Sequence, residues 1–341
     1  MNIVNGDDYA LYNGDCLEVM ATLEDNSVDC VIADIPYYKI MGDDWDNQWQ
    51  TIEEYQAWIR AWAKELKRTV KNNGSIYIFT DEKVGAYVQV VLDCFFLLLN
   101  NLVWFKTNNL PVKNVHSLRS WAPMTERILF YTPQGDRTGL ETVMLDVDNF
   151  RPLRDYFRDY QAAIGKTKRE IIDTVGQSAD HCFRWNSTQW ELPTRETYEK
   201  LGELFPCEFL RRDYESLRRD YESLRREYES LRRTWNTDGR TLDVLVGGII
   251  TASENTAHPT TKPTWIIKRL IEASSNPGQT ILDFTMGSGK TGVVCGRTGR
   301  KFIGIEINPS YFAIAETGIK NAYGSFTLTE KEKSTGQMSL F

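Results

Sequence analysis

The sequence predicts an α/β protein in which a doubly wound, mostly parallel sheet is interrupted by a largely helical insertion. Between residues 1 and 133, short apolar runs rich in β-branched residues alternate with segments of helical periodicity. The same alternation returns at about residue 251, after a polar stretch rich in Arg, Asp and Tyr. Because alternating strands and helices are typical of sheets covered on both faces, we expect the two outer segments to form one sheet.

In the first half, strands and helices follow each other as a doubly wound sheet requires. The first strand is predicted at VDCVIADIP (28–36), an apolar run stopped by Pro36 and typical of a buried parallel strand. A helix is predicted at TIEEYQAWIRAWAKELKRTV (51–70), before the helix stop Asn-Asn-Gly. The remaining elements are a strand at SIYIFT (75–80), a helix at VGAYVQVVLDCFFLLL (84–99), and strands at LVWFK (102–106) and RILFYT (127–132).

The insertion from 134 to 250 contains a heptad repeat, DYESLRR-DYESLRR-EYESLRR, at 213–233. Tyr recurs at the a position and Leu at the d position, which predicts a helix with one apolar seam over about 207–235. Three arrangements fit this seam. It could form a coiled coil between two subunits and so a homodimer, it could pack on the chain's own helices, or the helix could stand alone in solvent.

After residue 251 the α/β pattern resumes. The predicted elements are a helix at KPTWIIKRLIEASS (262–275), a strand at TILDF (280–284), a helix after a glycine loop, a strand at KFIGIEI (301–307) and a helix at NPSYFAIAETGI (308–319). The chain thus divides into one domain made of 1–133 and 251–322, a helical insertion at 134–250, and a polar tail at 323–341.

Composition argues against several classes of protein. The chain has no uninterrupted run of about 18 apolar residues and no basic-then-apolar leader, which predicts a cytoplasmic protein without a membrane span. Six cysteines without a C-x-x-C pair and three scattered histidines predict reduced thiols and no metal site. The net charge of −7 leaves room for a local basic cleft. Such a patch, or equally a solvated loop, is formed by Lys106, Lys113, Arg119, Arg127 and Arg137.

A glycine loop at ILDFTMGSGKTG (281–292) raises the question of which nucleotide it binds. A phosphate loop of the ATPase type has the pattern G-x-x-x-x-G-K-[ST], and Phe284 stands where its first glycine should be. What remains is a strand, an acidic residue, Gly-Ser-Gly and a helix, followed by a second strand that ends in Glu306. In Rossmann-like units such a carboxylate accepts the ribose hydroxyls of a nucleoside. The pattern favours a dinucleotide or another adenosine-containing cofactor over ATP hydrolysis.

A second candidate site is ADIPYYK (33–39), directly after the first predicted strand. It combines the carboxylate of Asp34, a backbone carbonyl at Ile35 held extended by Pro36, and the aromatic ring of Tyr37. The two oxygens could accept both hydrogens of an exocyclic amino group while the ring stacks on the base. Taken alone, this segment is better explained as an ordinary strand end with an incidental Asp-x-Pro turn.

Together, these segments resemble the S-adenosylmethionine-dependent DNA amino-methyltransferases. ADIPYY is similar to their D-P-P-Y motif, HPTTKP (258–263) to their H-P-T-x-K-P element, and LDFTMGSG (282–289) to their cofactor loop. GIEINP (304–309) and LYNGDCLEVM (11–20) also resemble family segments. The catalytic motif precedes the cofactor motif, which is the family's β order. The resemblance covers roughly residues 9–133 and 255–318.

The resemblance implies S-adenosylmethionine as cofactor, S-adenosylhomocysteine as product, no metal, and double-stranded DNA as substrate. It implies a catalytic segment made of Asp34, Ile35, Pro36 and Tyr37. It implies cofactor contacts from Asp15, Cys16, Asp34, His258, Thr260, Lys262, Asp283, Phe284, Gly287, Ser288, Gly289, Glu306 and Asn308. Two departures are evident: Ile35 replaces the first proline of D-P-P-Y, and the loop has F-T-M-G-S-G where the family has F-x-G-S-G.

The implied reaction is direct transfer of the sulfonium methyl group to an amino nitrogen of a flipped-out base. Asp34 and the carbonyl of Ile35 would accept the amino hydrogens and so stabilise the positive charge that develops on the nitrogen. Asp at the first motif position favours adenine N6, because the cytosine N4 enzymes of the family more often have Ser there. Cytosine N4 stays the alternative.

Target recognition is expected in the insertion. Residues 165–190 predict a helix, a turn at 176–178 and a second helix, which resembles a helix-turn-helix, although a purely structural helix pair fits as well. The candidate DNA contacts are Arg184, Asn186 and Gln189 here, with Lys106, Lys113 and Arg119 in the basic segment. The rival functions are a phosphate-loop ATPase, a non-catalytic DNA-binding protein on the same fold, and methylation of RNA or of a protein amide.

Overall fold

The computed structural model describes residues 2–39, 47–107, 119, 121–133, 150–185, 187, 189–237, 242–249 and 262–337, except for the side chains of 228–231 and 326–337. The strands within these ranges are β1 (Asn2–Asn5), β2 (Tyr9–Asn13), β3 (Val28–Asp34), β4 (Val70–Thr80), β5 (Leu97–Lys106), β6 (Thr125–Thr132), β7 (Val244–Gly247), β8 (Thr280–Asp283) and β9 (Lys301–Glu306). The helices are α1 (Cys16–Met20), α2 (Ile52–Thr69), α3 (Gly85–Leu92), α4 (Arg151–Ile164), α5 (Lys168–Val175), α6 (Arg195–Leu204), α7 (Tyr214–Leu231), α8 (Thr264–Ser274), α9 (Lys290–Thr298) and α10 (Pro309–Gln337).

The chain forms two compact units. We call the first, Met1–Gly139 with Arg233–Phe341, the sheet unit. We call the second, Leu140–Arg232, the helical unit. All nine strands described above belong to the sheet unit.

The sheet is doubly wound, with the strand order β1-β2-β9-β8-β3-β4-β6-β5-β7. The five strands from β2 to β4 in this order are parallel, whereas β6 is antiparallel to both of its neighbours. Strands β3 and β8 are neighbours at the centre of the sheet. The chain continues from β3 to β4 towards one edge of the sheet, and from β8 to β9 towards the other edge. The order therefore reverses between β3 and β8, and ligands of such sheets bind in the crevice beyond the carboxyl ends at this point. The predicted fold class is confirmed.

Helices cover both faces of the sheet because its central strand is apolar on both sides. In β3, Val31 and Ala33 pack against α1, α2 and α3 on one face. Cys30 and Ile32 pack against α8, α9 and α10 on the other. A strand buried on both faces is held rigidly, so the residue that ends it, Asp34, has a fixed position.

Two predicted boundaries are wrong, and in both cases a strand begins earlier than expected. Helix α3 is shorter than predicted, and Leu97–Leu99 belong to β5, because aromatic and apolar residues favour a strand once a neighbouring strand can pair with them. Strand β4 begins at Val70, so the Asn-Asn-Gly segment lies inside a strand. Val28 pairs with Val70 whereas Cys30 pairs with Ser75, which shows that this segment bulges out of the ladder.

Helix α10 continues to Gln337, so much of the segment predicted only as a polar tail is helical. None of the helices in the described ranges is both long enough and apolar enough to cross a membrane.

The apolar seam of the heptad helix α7 is used inside the helical unit. Leu217 is fully buried in a cluster with Trp190. The other a and d residues with described side chains, Tyr214, Tyr221 and Leu224, pack against the same cluster. Packing on the chain's own helices is therefore the arrangement found for 214–224, and the seam gives no argument for a homodimer. The helix is also shorter than the predicted 207–235.

The predicted helix-turn-helix is wrong in its second half. After α5, Gly176 adopts a φ of 112° and two single 3₁₀ turns follow. The described residues between 184 and 190 are not helical. The indole of the fully buried Trp190 donates to the carbonyl of Cys182 at 2.9 Å. Side-chain burial, rather than a helical ladder of backbone hydrogen bonds, shapes this segment.

Candidate active site

The segment after β3 forms a tight turn that is fixed from α2. Asp34 ends β3, and the turn beyond it has two non-glycine residues with positive φ, Tyr38 at 50° and Lys39 at 59°. The hydroxyl of Tyr55 in α2 donates to the carbonyl of Pro36 at 2.6 Å. Left-handed backbone at residues with a Cβ costs free energy and persists where the surroundings impose it, which is a recurrent feature of functional sites.

Both oxygens of the Asp34 carboxylate have a donor. Oδ1 accepts from the hydroxyl of Tyr37 at 2.7 Å, and Oδ2 accepts from the ammonium of Lys262 at 2.7 Å. Burial, followed by the negative charge of Asp34, raises the pKa of Tyr37 well above its ordinary value, so this hydroxyl stays a donor. Because each carboxylate oxygen has two lone pairs, Asp34 can accept a further hydrogen bond at each.

Lys262 lies between two carboxylates. Its side chain is only 8% exposed, and its ammonium is 3.4 Å from Oε2 of Glu126. Glu126 also pairs through Oε1 with Lys106 at 2.5 Å. Burial acts to lower the pKa of Lys262, but the charges of Asp34 and Glu126 outweigh it and the pKa is raised. Burial acts to raise the pKa of Glu126, but the two lysines hold it below its ordinary value. Lys262 and Glu126 are therefore both ionised.

The sequence did not single out Glu126. The available signal was an acidic residue next to the apolar run RILFYT (127–132), where a strand enters the sheet. Lys106, predicted as a DNA contact, ends β5 with its side chain 20% exposed and its ammonium on Glu126. It belongs to the surroundings of Asp34 rather than to an open basic surface.

Asp283 ends β8, beside β3, and its carboxyl group is buried. It accepts from the hydroxyl of Thr291 at 2.6 Å and from the amide of Thr285 at 3.2 Å. Burial raises the pKa of Asp283 to about 7 in spite of these two donors. The hydroxyl of Thr285 donates to the carbonyl of Asp34 at 3.2 Å. The glycine loop and the catalytic segment are therefore in direct contact.

Glu306 ends β9, and its carboxylate fixes the glycine loop. Oε2 accepts from the amide of Gly287 at 2.9 Å, and Oε1 accepts from the amide of Asn308 at 2.7 Å. Burial raises the pKa of Glu306, and the amide donors partly offset this effect. A buried carboxylate held by backbone amides has a fixed direction, and it keeps lone pairs for further donors.

Asp15 and Cys16 follow β2 at the same edge of the sheet. The last residue of β2, Asn13, is in register with Glu306 of β9. Asp15 caps α1 by accepting from the amide of Leu17 at 2.8 Å. Burial raises the pKa of Cys16 to about 12, and the charges of Asp15 and Glu306 add to this effect. The carboxyl ends of β2, β9, β8 and β3 thus bring Asp15, Glu306, Asp283 and Asp34 to one edge.

Three residues that the resemblance assigned to the cofactor also have structural roles. Gly289, the N-cap residue of α9, has a φ of 77°, and a Cβ there would lie 2.9 Å from the Cα of Ala315 in α10. The ring of Phe284 is buried against Trp62, with centroids 5.1 Å apart. The side-chain oxygen of Asn308 caps α10. Part of the motif is therefore required by packing alone.

A protein-family model described as DNA methylase, of the N6/N4 type, matches residues 28–317. This span contains the catalytic segment, the insertion, the glycine loop and Glu306. The chain belongs to the N6/N4 DNA methylase family. It is accordingly a DNA amino-methyltransferase that uses S-adenosylmethionine, and the family predicted from the sequence is confirmed.

The methyltransferase has relatives of known name and of known structure. The type II methyltransferase M.HinfI of Haemophilus influenzae is 23% identical over 333 residues, which cover 91% of this chain and 68% of the relative. The structure of PvuII DNA methyltransferase (cytosine-N4-specific) matches with a TM-score of 0.53 and 15% identity over 94% of this chain and 93% of the other. The structure of the M1.HpyAVI–SAM complex matches with a TM-score of 0.51 and 18% identity over 91% and 98%. At these identities the structural matches support the fold.

The residues at the sheet edge fit the cofactor of the family. Asp283 is a buried carboxyl group whose ionised form a neighbouring sulfonium cation would stabilise. The Glu306 carboxylate can accept the ribose hydroxyls in addition to its two amide donors. Ser288 is buried in the same loop. The part of the chain that the structure describes contains no group of side chains suited to hold a metal ion.

The other predicted residues lie elsewhere. His258, Thr260, Lys113 and Asn186 lie outside the described residues, and Arg119 is exposed. Arg184 and Gln189 belong to the helical unit. There the guanidinium of Arg184 pairs with Asp180 and donates to the side-chain oxygen of Gln189. These two candidate base contacts are thus bonded to each other, on a segment that is not helical.

Proposed function

We propose that this methyltransferase methylates N6 of adenine in double-stranded DNA, after the base has rotated out of the duplex. The observation that carries the proposal is the position of Asp34. It ends a fully enclosed strand where the strand order reverses, and it is followed by Ile35, Pro36 and Tyr37. Asp283 and Glu306, which each have a side-chain carboxyl group, are the last residues of nearby strands in the same sheet.

The chain's contribution to the chemistry is to hold and polarise the amino group. That group is a weak nucleophile because its lone pair is delocalised into the base ring. The Asp34 carboxylate and the carbonyl of Ile35 accept its two hydrogens, which favours a tetrahedral nitrogen and stabilises the positive charge that develops there. The hydroxyl of Tyr37, 2.7 Å from Oδ1, fixes the direction of the carboxylate. Extrusion of the base is necessary because its amino group cannot be reached within the stack.

On the cofactor side, S-adenosylmethionine supplies an electrophilic methyl group. Glu306 accepts hydrogen bonds from the ribose, and Asp283 provides negative charge for the cation. Asp15 and Cys16, at the end of β2, contribute to the adenine pocket. The contact between Thr285 and Asp34, at 3.2 Å, supports a common crevice for cofactor and acceptor, in which proximity contributes to the rate.

Adenine is the proposed acceptor because the first position of the catalytic motif is Asp. Cytosine N4 is the second candidate, and it is favoured by the structural match to an enzyme named as cytosine-N4-specific. Both amino groups present two hydrogens and a delocalised lone pair, so the same residues can act on either.

The insertion at 134–250 is proposed to select the DNA sequence, with Arg184, Asn186 and Gln189 among its contacts. Phe183 and Trp190, on either side of the described residues Arg184 and Gln189, are buried, and this supports a fixed position for these two residues. For a prokaryotic or phage-encoded enzyme, action on DNA implies a cytoplasmic location.

The test is expression in a bacterium without DNA methylation of its own, followed by mass spectrometry of the hydrolysed DNA. N6-methyldeoxyadenosine is expected, and sequencing with modification-sensitive reads gives the recognition sequence. An Asp34→Ala variant serves as the control and should leave the DNA unmodified. N4-methyldeoxycytidine alone would establish the second candidate, and unmodified DNA with the parent protein would refute both.

A further inference from the structure

The Asp34 carboxylate, which the proposed chemistry uses as a hydrogen-bond acceptor for the amino group, is in contact with a cation, the ammonium of Lys262. Lys262 Nζ and Asp34 Oδ2 are 2.7 Å apart and come from positions separated by 228 residues. The resemblance assigned Lys262 to the cofactor. Its ammonium instead lies against Asp34, Glu126 and the faces of two rings, Tyr37 at 5.3 Å and Phe79 at 5.5 Å from the centroids.

An adjacent acceptor and donor of this kind complement the edge of a particular class of base. In adenine the amino nitrogen and the ring nitrogen N1 are attached to the same carbon, and they present a donor beside an acceptor. Two hydrogen bonds to such neighbours require an acceptor and a donor that are themselves in contact, as Oδ2 and Nζ are. Flipped bases are commonly read by hydrogen bonds to this edge.

We propose that Asp34 and Lys262 together read the Watson–Crick edge of the extruded base, Asp34 by accepting from the amino group and Lys262 by donating to the ring nitrogen beside it. This inference rests on the proposed amino-methyl transfer and adds the residue that recognises N1. Lys262 is a binding residue for the acceptor base and not for the cofactor.

The contacts of the ammonium leave a donor for this purpose. An ammonium group has three N–H donors. Among the described residues its hydrogen-bond and ion-pair partners are Asp34 and Glu126, so one donor is available for the base. Glu126, itself paired with Lys106 at 2.5 Å, is a positioning residue that holds the ammonium beside Asp34.

The charges also agree with the reaction. A lone cation beside the amino group would oppose the positive charge that methyl transfer builds on that nitrogen. Glu126 lies on the same ammonium as Asp34, and Lys106 lies on Glu126, so the four groups together carry a formal net charge of zero. The charge of the ammonium is therefore balanced, and the Asp34 carboxylate is the charged group of this cluster that contacts the nitrogen on which positive charge develops, while Lys262 keeps its role as a donor to the ring nitrogen.

The arrangement excludes the two bases whose Watson–Crick edge has no amino group beside an unprotonated ring nitrogen. Guanine and thymine present a carbonyl oxygen beside a ring N–H at the corresponding positions. They would set an acceptor against Asp34 and a donor against Lys262, leaving buried groups without partners, which is strongly unfavourable. Cytosine, with an amino group beside N3, satisfies the pair as adenine does. The pair therefore selects adenine and cytosine over guanine and thymine, and other contacts must separate adenine from cytosine.

The test is a double-mutant cycle in which one change is made in the enzyme and the other in the target base. It uses a duplex that contains the recognition sequence found by expression in the methylation-free bacterium. The target adenine is replaced by 1-deazaadenine, in which a C–H group stands where N1 accepts. With the parent enzyme, kcat/KM is expected to fall about 10- to 100-fold, the usual effect of losing a hydrogen bond to a charged group. With Lys262→Met the same replacement should cost less than about twofold, because the donor is already gone.

Two further variants complete the cycle. Glu126→Gln keeps the shape of the side chain but removes its charge, and it should shrink the 1-deazaadenine effect without abolishing it. Lys71→Met is the matched control. Lys71 also pairs with a carboxylate, that of Asp29 at 2.6 Å, but the pair lies near the starts of β3 and β4, at the other end of these strands from Asp34. It should retain the full effect. Lys262→Met should also keep its affinity for S-adenosylmethionine, which shows that it is folded.

The outcomes separate the two proposals. If 1-deazaadenine lowers kcat/KM equally in the parent and in Lys262→Met, Lys262 does not donate to N1 and this inference is overturned. The proposed methylation of adenine would stand. No methylation of the unmodified duplex by the parent would refute the proposed function, and the edge reading with it. If turnover of Lys262→Met is too slow to measure, the cycle is read on the affinity of the two duplexes in the presence of S-adenosylhomocysteine, with the same expected pattern.

Discussion

The sheet unit and the helical unit use their charged residues in opposite ways. At the end of the sheet, Lys262 pairs with Asp34 across 228 residues of sequence, with side chains 8% and 24% exposed. In the helical unit many ion pairs join residues three or four apart on an exposed surface, as Arg218 and Glu222 do at 2.9 Å. Exposed ion pairs of this kind contribute little to the stability of the folded protein, whereas removing one partner of a buried ion pair lowers that stability strongly.

This difference indicates where charge serves chemistry. A buried lysine between two carboxylates is unfavourable for folding unless the geometry is good, so its presence at Asp34 calls for a functional explanation. The exposed pairs of α7 need none beyond a soluble helix surface. Single substitutions at Asp34, Arg154, Asp283 and Arg218 can test this contrast.

The largest effect is expected for Asp34→Asn. The substitution keeps the shape of the side chain but removes the charge that stabilises the amino nitrogen, so kcat should fall on the order of 10³-fold. The affinity for S-adenosylmethionine should change by less than about threefold, because Glu306 and Asp283 are untouched. Single-turnover kinetics and calorimetric titration of the cofactor measure the two quantities. A weakened cofactor affinity with little change in kcat would reverse the assignment of Asp34.

Arg154 is the residue of the helical unit that could break the comparison, since it is a buried cation there. It is 2% exposed, and it donates to the carbonyls of Trp185 and Ser187 at 2.7 Å each. Arg154→Met leaves both carbonyls without these donors and should lower the free energy of unfolding of the helical unit by about 3 kcal/mol. Hydrogen exchange of the amides in α4 and α6 reports this quantity locally.

Arg158, one helical turn further along α4, is the matched control. Its side chain is 52% exposed and pairs with Asp155 at 3.2 Å. Arg158→Met should leave amide protection almost unchanged. Equal losses for the two variants would show that burial is not what distinguishes Arg154.

The third prediction concerns pH and Asp283, whose pKa is raised by burial from 3.8 to about 7. Because the folded state holds this proton more tightly than the unfolded chain, the carboxyl group favours folding below about pH 4, and this contribution is lost as the pH rises to 7. Cofactor affinity should change in the opposite direction, since a bound sulfonium favours the ionised form. The Kd for S-adenosylmethionine should fall about tenfold between pH 6 and pH 8 and then level off.

Asp283→Asn is the control for this titration. It removes the ionisable group, so any pH dependence that persists comes from the cofactor itself or from other residues. A parent enzyme and an Asp283→Asn variant with the same slope would show that Asp283 does not sense the cofactor charge.

Much of the sheet and of its site could be predicted from the sequence because the relevant signals are local. Asp34 follows an apolar run, and the spacing from the glycine loop to Glu306 lies within one strand-helix-strand unit. Strand ends of a parallel sheet meet at one edge, which brings these residues together. The pairing of Lys262 with Glu126 was not predictable in this way. It depends on the register of β6 and on the approach of a segment far away in sequence.

The helical unit was harder to predict because its signals are ambiguous. The apolar seam of α7 could pack on a helix of another chain or on the chain's own helices, and its sequence fits both. In the structure its Leu217 packs in the cluster around Trp190. The second helix expected after the turn at 176–178 does not form, because Cys182, Phe183 and Trp190 are buried on a backbone of short turns. Composition and periodicity do not determine which of two apolar surfaces a segment will face, and tertiary packing overrides helix propensity.

The smallest effect is expected for Arg218→Ala, on the exposed surface of α7. The guanidinium lies 2.9 Å from Glu222, and the two side chains are 58% and 52% exposed, so water and salt screen their attraction. Alanine also has a higher helix propensity than arginine, which offsets the lost pair. The melting temperature of the helical unit should therefore stay within about 1 °C of the parent value. Since the repeat places an equivalent arginine at 225, Arg218→Ala with Arg225→Ala tests whether the helix surface does more. A change in the affinity for DNA, with unchanged amide protection in α7, would show that charges of the helical unit also serve binding and would end the contrast drawn between the two units.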